Sequence, residues 1–385
     1  MTIMMDYMLK EINEQPTYLQ NLVEQNKEKI FNVVNRMMTK KDINKIILTG
    51  CGDSLCASLT TEAAFNKAGF TTFVFPPMEL SRYRYKFNNL MDERTLLIPI
   101  SVSGKTPRVV EAINAARSKN CTIISITNNP ESPVAKNSDE YIYAKSSQIE
   151  SIQSSSYDGE VSSKYVGYEH DVPQTKSYTA VQMALLLLAQ SFSKDPNYSE
   201  LETIPNVIKQ VISNNKIKEQ AINSVDASRH IFSSSGPNYG NALFGEFKMY
   251  EFSLPGYSKE IEEYCHTTYF ITEVENPVIF IAPEGEALER TSEISPVLKN
   301  MIKANPLILS NKEPDFECGD WIEIPYYGSE ENSVVPFGVV SPIFAYWIAK
   351  EKGLNVNTFR GGVDQEKYVE GSYYTIRKSK VKENY

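Results

Sequence analysis

Short β-branched apolar runs alternate with helical segments along this chain, and the alternation starts again in the same order after about residue 215. In the first half the runs are Lys45–Gly50 (KIILTG), Thr71–Phe75, Thr95–Ser101, Cys121–Thr127 and Glu140–Ala144, with helical segments such as Pro107–Asn120 between most of them. Runs this short and this apolar predict strands of a parallel sheet whose two faces are covered by helices. In the second half Arg229–Gly236 (RHIFSSSG) leads into a helix through Tyr250. Pro277–Gly285 parallels Leu96–Gly104, Pro306–Lys312 parallels Cys121–Asn128, and Asp320–Pro325 parallels Glu140–Ala144. The order predicts a duplicated α/β unit; chance similarity among α/β segments is the other explanation.

A helical, amphipathic stretch runs from Asp6 to Thr39, with an interruption expected at Pro16. The Ser-rich segment Ser146–Ser163 reads as a mobile loop of the first unit, and Pro196–Pro205 as the linker. The boundaries that follow are an N-terminal helical segment at 1–40, a first domain at 41–195, a second at 215–355 and a tail at 356–385. In doubly wound units ligands bind beyond the carboxyl ends of the strands, where helix starts present backbone N–H groups to anions.

The chain has 385 residues, enough for two domains, and a formal net charge of −9 that argues against a nucleic-acid surface. Its five cysteines are widely spaced without a C-x-x-C pair, which fits reduced thiols. Three histidines without metal-ligand spacing give no reason to expect a metal. The start carries early acids and does not read as a signal peptide. No run is expected to approach the roughly 20 apolar residues of a membrane span, the longest apolar stretch being Met183–Ala189. A soluble, cytoplasmic protein with no nucleic-acid or membrane partner is the expectation.

Ser101-Val102-Ser103-Gly104-Lys105-Thr106 lies between a predicted strand and a predicted helix. Three hydroxyls around one glycine, with the orphan N–H groups of a helix start, can surround a phosphate without any arginine. Ser54 holds the equivalent place after the first strand. Serine and threonine also serve there as ordinary helix caps. The Walker pattern and the G-x-G-x-x-G pattern are both absent, so neither a nucleotide nor a dinucleotide cofactor is expected.

Gly50-Cys51-Gly52-Asp53-Ser54, Ser101–Thr106 and Gln174-Thr175-Lys176-Ser177-Tyr178-Thr179, in this order, resemble the three phosphosugar-binding motifs of the sugar isomerase (SIS) family. Met8–Pro16 resembles the helix that opens such domains, and the resemblance runs from about residue 6 to about residue 370. It implies two tandem SIS domains, each a doubly wound, flavodoxin-like parallel sheet flanked by helices. It also implies phosphate ligands at Ser54, Ser101, Ser103 and Thr106, and sugar contacts at Glu169, Thr175 and Lys176; His170, beside Glu169, could line the same sugar pocket. Val102 stands where the family often has Gln, which removes one side-chain contact.

Removing a proton from carbon next to a carbonyl or imine needs a base, and ring opening or amine departure needs an acid; a carboxylate and an imidazole suit both near neutral pH. Ala242–Ser253 is similar to the family's catalytic helix, which places Lys248 and Glu251 at matching positions, three apart on one helix face. On residues alone Glu251 also reads as a solvated helix carboxylate. Glu262–Thr267 resembles the loop carrying the ring-opening histidine, here His266. The resemblance makes that loop reach across a homodimer with composite active sites, and makes the tail part of the site. His230, at the start of a strand, reads as structural.

Gly362–Ser372 resembles the family's closing Val-Asp-Gln segment, but Gly371 stands where synthase members carry a Schiff-base lysine, and Lys367 lies four residues earlier. With no glutaminase domain ahead of it, the chain by itself is not expected to carry out the synthase reaction. The expected activity is that of an isomerase/deaminase or deglycase on a 6-phosphorylated amino sugar. A simple aldose–ketose isomerase is the alternative, and a non-catalytic phosphosugar sensor the rival of another class. No helix-turn-helix segment supports the latter.

Overall fold

The structure is a computed structural model, and it describes residues 6–87, 89–144 and 173–379. Helix α1, Tyr7–Met38, precedes β1 (Lys45–Gly50), α2 (Asp53–Lys67), β2 (Thr71–Val74), β3 (Thr95–Ile100), α3 (Pro107–Arg117), β4 (Thr122–Thr127), α4 (Pro133–Lys136) and β5 (Glu140–Tyr143). Helices α5 (Lys176–Gln190), α6 (Ser199–Ile212) and α7 (Asn215–Asn223) lead to β6 (His230–Ser234) and α8 (Tyr239–Glu251). Then come β7 (Gly256–Glu260), α9 (Ile261–His266), β8 (Pro277–Ile281), α10 (Glu286–Val297), β9 (Asn305–Ser310) and β10 (Asp320–Glu323). Helices α11 (Glu330–Gly338), α12 (Val340–Glu351) and α13 (Gln365–Ser372) follow.

The strands form two five-stranded sheets, ordered β2-β1-β3-β4-β5 and β10-β9-β8-β6-β7. All pairings are parallel, as in Lys45↔Thr95 between β1 and β3 and Phe232↔Ile279 between β6 and β8. Read from the other edge, the second sheet runs second, first, third, fourth and fifth strand, which is the order of the first. Both are the doubly wound order whose switch point lies between the first and third strands.

The chain divides into two compact units. One contains the described residues of Met1–Pro16, Gly167–Lys176 and Thr203–Gln365; the other contains those of Thr17–Val166, Ser177–Glu202 and Glu366–Tyr385. In the β1–β5 unit, Ile47, Leu97, Val109, Ala112, Ile113 and Ile123 join one apolar cluster beneath the helices. In the β6–β10 unit the cluster includes Ile231, Tyr264, Val278, Phe280, Leu298 and Ile308. Strands β1, β3, β4, β6, β8 and β9 are buried along almost their whole length, which is why they read as continuous apolar runs.

Three sequence expectations change, and one strand is added. Helix α1 passes through Pro16 without stopping, because buried Met8 and Ile12 before it and Tyr18, Leu19 and Leu22 after it keep one packed stripe. The predicted linker is helical from Ser199, with Pro205 inside α6. There Leu201, Ile204, Ile208 and Val211 form a buried helical stripe that outweighs the proline. Strand β7 has no apolar run to announce it, since at the edge beside β6 its sequence GYSKE needs none. Finally, Glu330–Glu351 is long and apolar enough, at 22 residues and hydropathy 1.3, to cross a membrane by composition, contrary to the sequence reading; 94% of it is buried within the protein, as in a core helix. The segment expected to be a mobile loop, Ser146–Ser163, lies outside the described residues.

Candidate functional site

In the β1–β5 unit the connections after β1 and β3 flank the switch point; Ser54 lies at the start of α2 after β1, and Ser101–Thr106 form the loop after β3. The β3 loop is held by its neighbour: Ser101 N donates to Ile126 O at 3.0 Å and Asn128 N to Val102 O at 3.0 Å. Gly104 N then turns back to Ser101, 2.9 Å from its carbonyl and 3.1 Å from its Oγ. Only glycine suits the turn. Gly104 has φ +67, and a Cβ there would come within 2.0 Å of Ser132 Oγ.

The hydroxyls are not used as helix caps. Thr106 precedes α3 in extended conformation but makes no side-chain cap hydrogen bond. Its Oγ1 lies 3.2 Å from Ser101 Oγ instead. Ser54 sits inside the first turn of α2, whose cap is Gly52. The structure therefore places Ser101, Ser103 and Thr106 on one loop, with Ser54 in the first turn of the helix that follows the adjacent strand. Ser103 Oγ accepts from Lys105 N at 3.3 Å and from Arg377 Nη1 at 3.2 Å. Behind the loop, Glu111 is 2% exposed and binds Arg82 at 2.6 Å, Arg108 at 2.6 Å and Ser379 Oγ at 2.7 Å. The matching loop of the other sheet, Ala282-Pro283-Glu284-Gly285, has no hydroxyl and carries a carboxylate, so it offers an anion nothing comparable.

In the β6–β10 unit, α8 carries Lys248 and Glu251. Lys248 is fully buried; its Nζ donates to Glu251 Oε1 at 2.8 Å and to Gln174 O at 2.9 Å, and lies 4.8 Å from the Phe244 ring centroid. The Glu251 side chain keeps 20% of its surface exposed, but its Oε2 is buried and lies 2.8 Å from the same Lys248 Nζ, so the ammonium holds both carboxylate oxygens. Gln174–Lys176 is gripped from a second direction. Glu11 Oε2 accepts from Thr175 N at 2.9 Å and from Lys176 N at 3.4 Å, and Lys176 Nζ meets Glu14 Oε2 at 2.5 Å. Burial pushes the Glu11 carboxyl above its usual range, opposed by the Thr175 N–H and by the charges of Lys176 and Lys248. Thr175 and Lys176 are each 1% exposed and engaged with these acids.

His266 ends the short helix α9 rather than lying in a loop, its side chain is 70% exposed, and its Nε2 lies 3.3 Å from Glu262 Oε1. His230 is fully buried, with Nε2 2.9 Å from Ser224 O; burial lowers its pKa to about 4, so it is neutral at physiological pH. Glu169 and His170 lie outside the described residues. Among the described residues no group of three or more His, Cys, Asp or Glu could hold a metal ion.

Sequence reasoning missed Glu11, Glu14, Glu111 and Arg377. Glu11 meets Thr175 across 164 positions and Arg377 meets Ser103 across 274, and no local spacing carries either pairing.

Residues 39–161 match the SIS domain family. A glutamine–fructose-6-phosphate aminotransferase from Pyrococcus horikoshii is 30% identical over 363 residues, 91% of this chain and 55% of its own length. One from Clostridium tetani is 26% identical over 91% of this chain and 57% of its own length. The chain thus spans about half the length of the curated relatives it matches. Among solved structures, the C-terminal domain of glucosamine-fructose-6-phosphate aminotransferase from Francisella tularensis superposes with TM-score 0.70 at 20% identity, covering 90% of this chain and 96% of that one. Tagatose-6-phosphate ketose/aldose isomerase from Escherichia coli gives TM-score 0.72 at 17% identity, covering 93% and 95%. Glucosamine-6-phosphate deaminase from Thermotoga maritima gives 0.65 at 19%, covering 90% and 95%. At these identities the structures speak for the fold. Residues 39–161 thus form an SIS domain, the chain is similar in sequence to the glutamine–fructose-6-phosphate aminotransferases, and it shares its fold with the phosphosugar isomerase structures.

Proposed function

We propose that the protein is a phosphosugar isomerase/deaminase or deglycase acting on a 6-phosphorylated amino sugar of the glucosamine or fructosamine type. The observation that carries this reading is the Ser101–Thr106 loop at a switch point, with hydroxyls turned toward one another rather than spent on capping. Together with Ser54 it offers neutral donors to a phosphate.

The reaction assigns proton transfer to Glu251. Its carboxylate takes the proton from the carbon beside the carbonyl or imine, and returning that proton to the neighbouring carbon completes an aldose–ketose exchange. Lys248 holds the carboxylate in place. His266 serves ring opening or the departing amine, donated across a homodimer. Thr175, Lys176 and Glu169 belong to the sugar side. The proposal includes a second SIS domain at 215–355, supported by the repeated strand order, and a cytoplasmic location, supported by five free cysteines. Gly371, where synthase members of the family carry a lysine, favours a second reading: a simple aldose–ketose isomerase with no amine chemistry.

The test is to incubate the protein with glucosamine 6-phosphate, with fructose 6-phosphate plus ammonia, and with fructosamine 6-phosphate, and to identify the products. Ser101→Ala with Thr106→Ala should weaken sugar-phosphate binding with the fold intact, each hydroxyl contact to the charged group being worth roughly 1.5–3 kcal/mol. Unchanged affinity in that double variant would place the phosphate elsewhere. Binding without turnover of any substrate would leave a sensor rather than an enzyme.

A further inference from the structure

The phosphate loop read from the sequence has no arginine of its own, yet in the folded β1–β5 unit one reaches it. Arg377 Nη1 donates to Ser103 Oγ at 3.2 Å. Two residues on, Ser379 Oγ donates to Glu111 Oε1 at 2.7 Å, which ties the same piece of tail to the first helix behind the loop. The two nearby arginines on that helix and before it, Arg108 and Arg82, are committed to Glu111.

We propose that Arg377 is a phosphate-binding residue, supplied by the C-terminal tail, that selects phosphorylated over unphosphorylated sugars. This rests on reading Ser101–Thr106 as the phosphate site. A phosphate oxygen bonded to Ser103 Oγ lies about 2.7 Å from it. With Arg377 Nη1 3.2 Å from the same atom, the guanidinium is within about 6 Å of that oxygen whatever the direction of approach. Hydroxyls and backbone N–H groups orient a phosphate without balancing its charge, the loop's own cation is the single Lys105 against a dianion, and the chain as a whole carries −9. A planar guanidinium can bond the serine hydroxyl and a phosphate oxygen together, and at this range its charge acts on the dianion directly. The tail therefore brings a guanidinium to a loop whose own cation is Lys105.

Titration calorimetry with fructose 6-phosphate and with fructose, on the full chain, tests this. Arg377→Ala should weaken fructose 6-phosphate binding on the order of 10–100-fold, the range for a charged hydrogen bond. It should leave fructose binding unmoved and flatten the dependence on ionic strength, and Arg377→Lys should recover part of the loss. Circular dichroism checks that each variant folds. If Arg377→Ala binds like the wild type while the Ser101/Thr106 double variant does not, the inference fails and the loop reading stands. Tighter binding by Arg377→Ala also overturns it, since the tail would then cover the loop rather than complete it. If the wild type does not prefer fructose 6-phosphate to fructose, the reading beneath it fails too.

Discussion

His230 illustrates how a single buried side chain sets an acid limit. Its Nε2 is bonded to Ser224 O, Nδ1 has no partner among the described residues, and burial lowers its pKa from 6.5 to about 4. The unfolded chain therefore binds more protons than the folded one between those values, and stability falls as pH drops through that window. The full effect is about 3 kcal/mol, reached near pH 4. We expect His230→Gln to flatten the stability–pH curve between pH 6.5 and 4, read from urea midpoints at constant m; an unchanged slope would show that other groups govern the acid limit. Glu251 and Lys248 make the contrasting case, a fully buried cation held against a carboxylate, which carries a desolvation cost that an apolar pair would not. That choice has a reason if the carboxylate works on a substrate.

Among the elements, α5 depends on a residue far from it in sequence. Helix starts leave N–H groups without intrahelical partners, and here the Glu11 carboxylate on α1 takes those of Thr175 and Lys176. Glu11→Ala should remove the carboxylate that accepts from the buried Thr175 N–H, costing about 1–3 kcal/mol in chemical denaturation, with Glu11→Gln closer to the wild type. A loss below 0.5 kcal/mol, the scale of ordinary surface substitutions, would mean that the N–H groups find other acceptors. The same elements explain what the sequence conveyed. Strands β1, β3, β4, β6, β8 and β9 were legible because burial on both faces demands unbroken apolar runs. Strand β7, at an edge, carries no such demand and went unread. Prolines misled in α1 and α6 because a missing hydrogen bond costs less than a buried stripe of leucine and isoleucine gains.

For the molecule as a whole, the proposed homodimer makes a prediction that activity can read. Glu251→Gln and His266→Asn should each lower turnover on the order of 10²–10⁴-fold with the substrate constant little changed, as groups acting in the transition state do. Mixed dimers of the two inactive variants should regain one intact site each if His266 serves the partner's substrate. Absence of rescue in dimers proven mixed by mass would assign the site to one chain, and near-full activity of Glu251→Gln would remove the base assignment altogether.

The sequence by itself determined the α/β class, the parallel strands of both sheets apart from β7, and the loop Ser101–Thr106. These follow from local pattern: unbroken apolar runs, and a glycine amid hydroxyls between a strand and a helix. Only the tertiary structure decided the identical order of the two sheets, the grip of Glu11 on Thr175 and the arrival of Arg377 at Ser103. Those pairings join residues 164 and 274 positions apart, and a charge or hydroxyl carries no periodic signal of the partner it will meet. Their placement is set by how the sheets bury their apolar faces, a property of the whole packed chain.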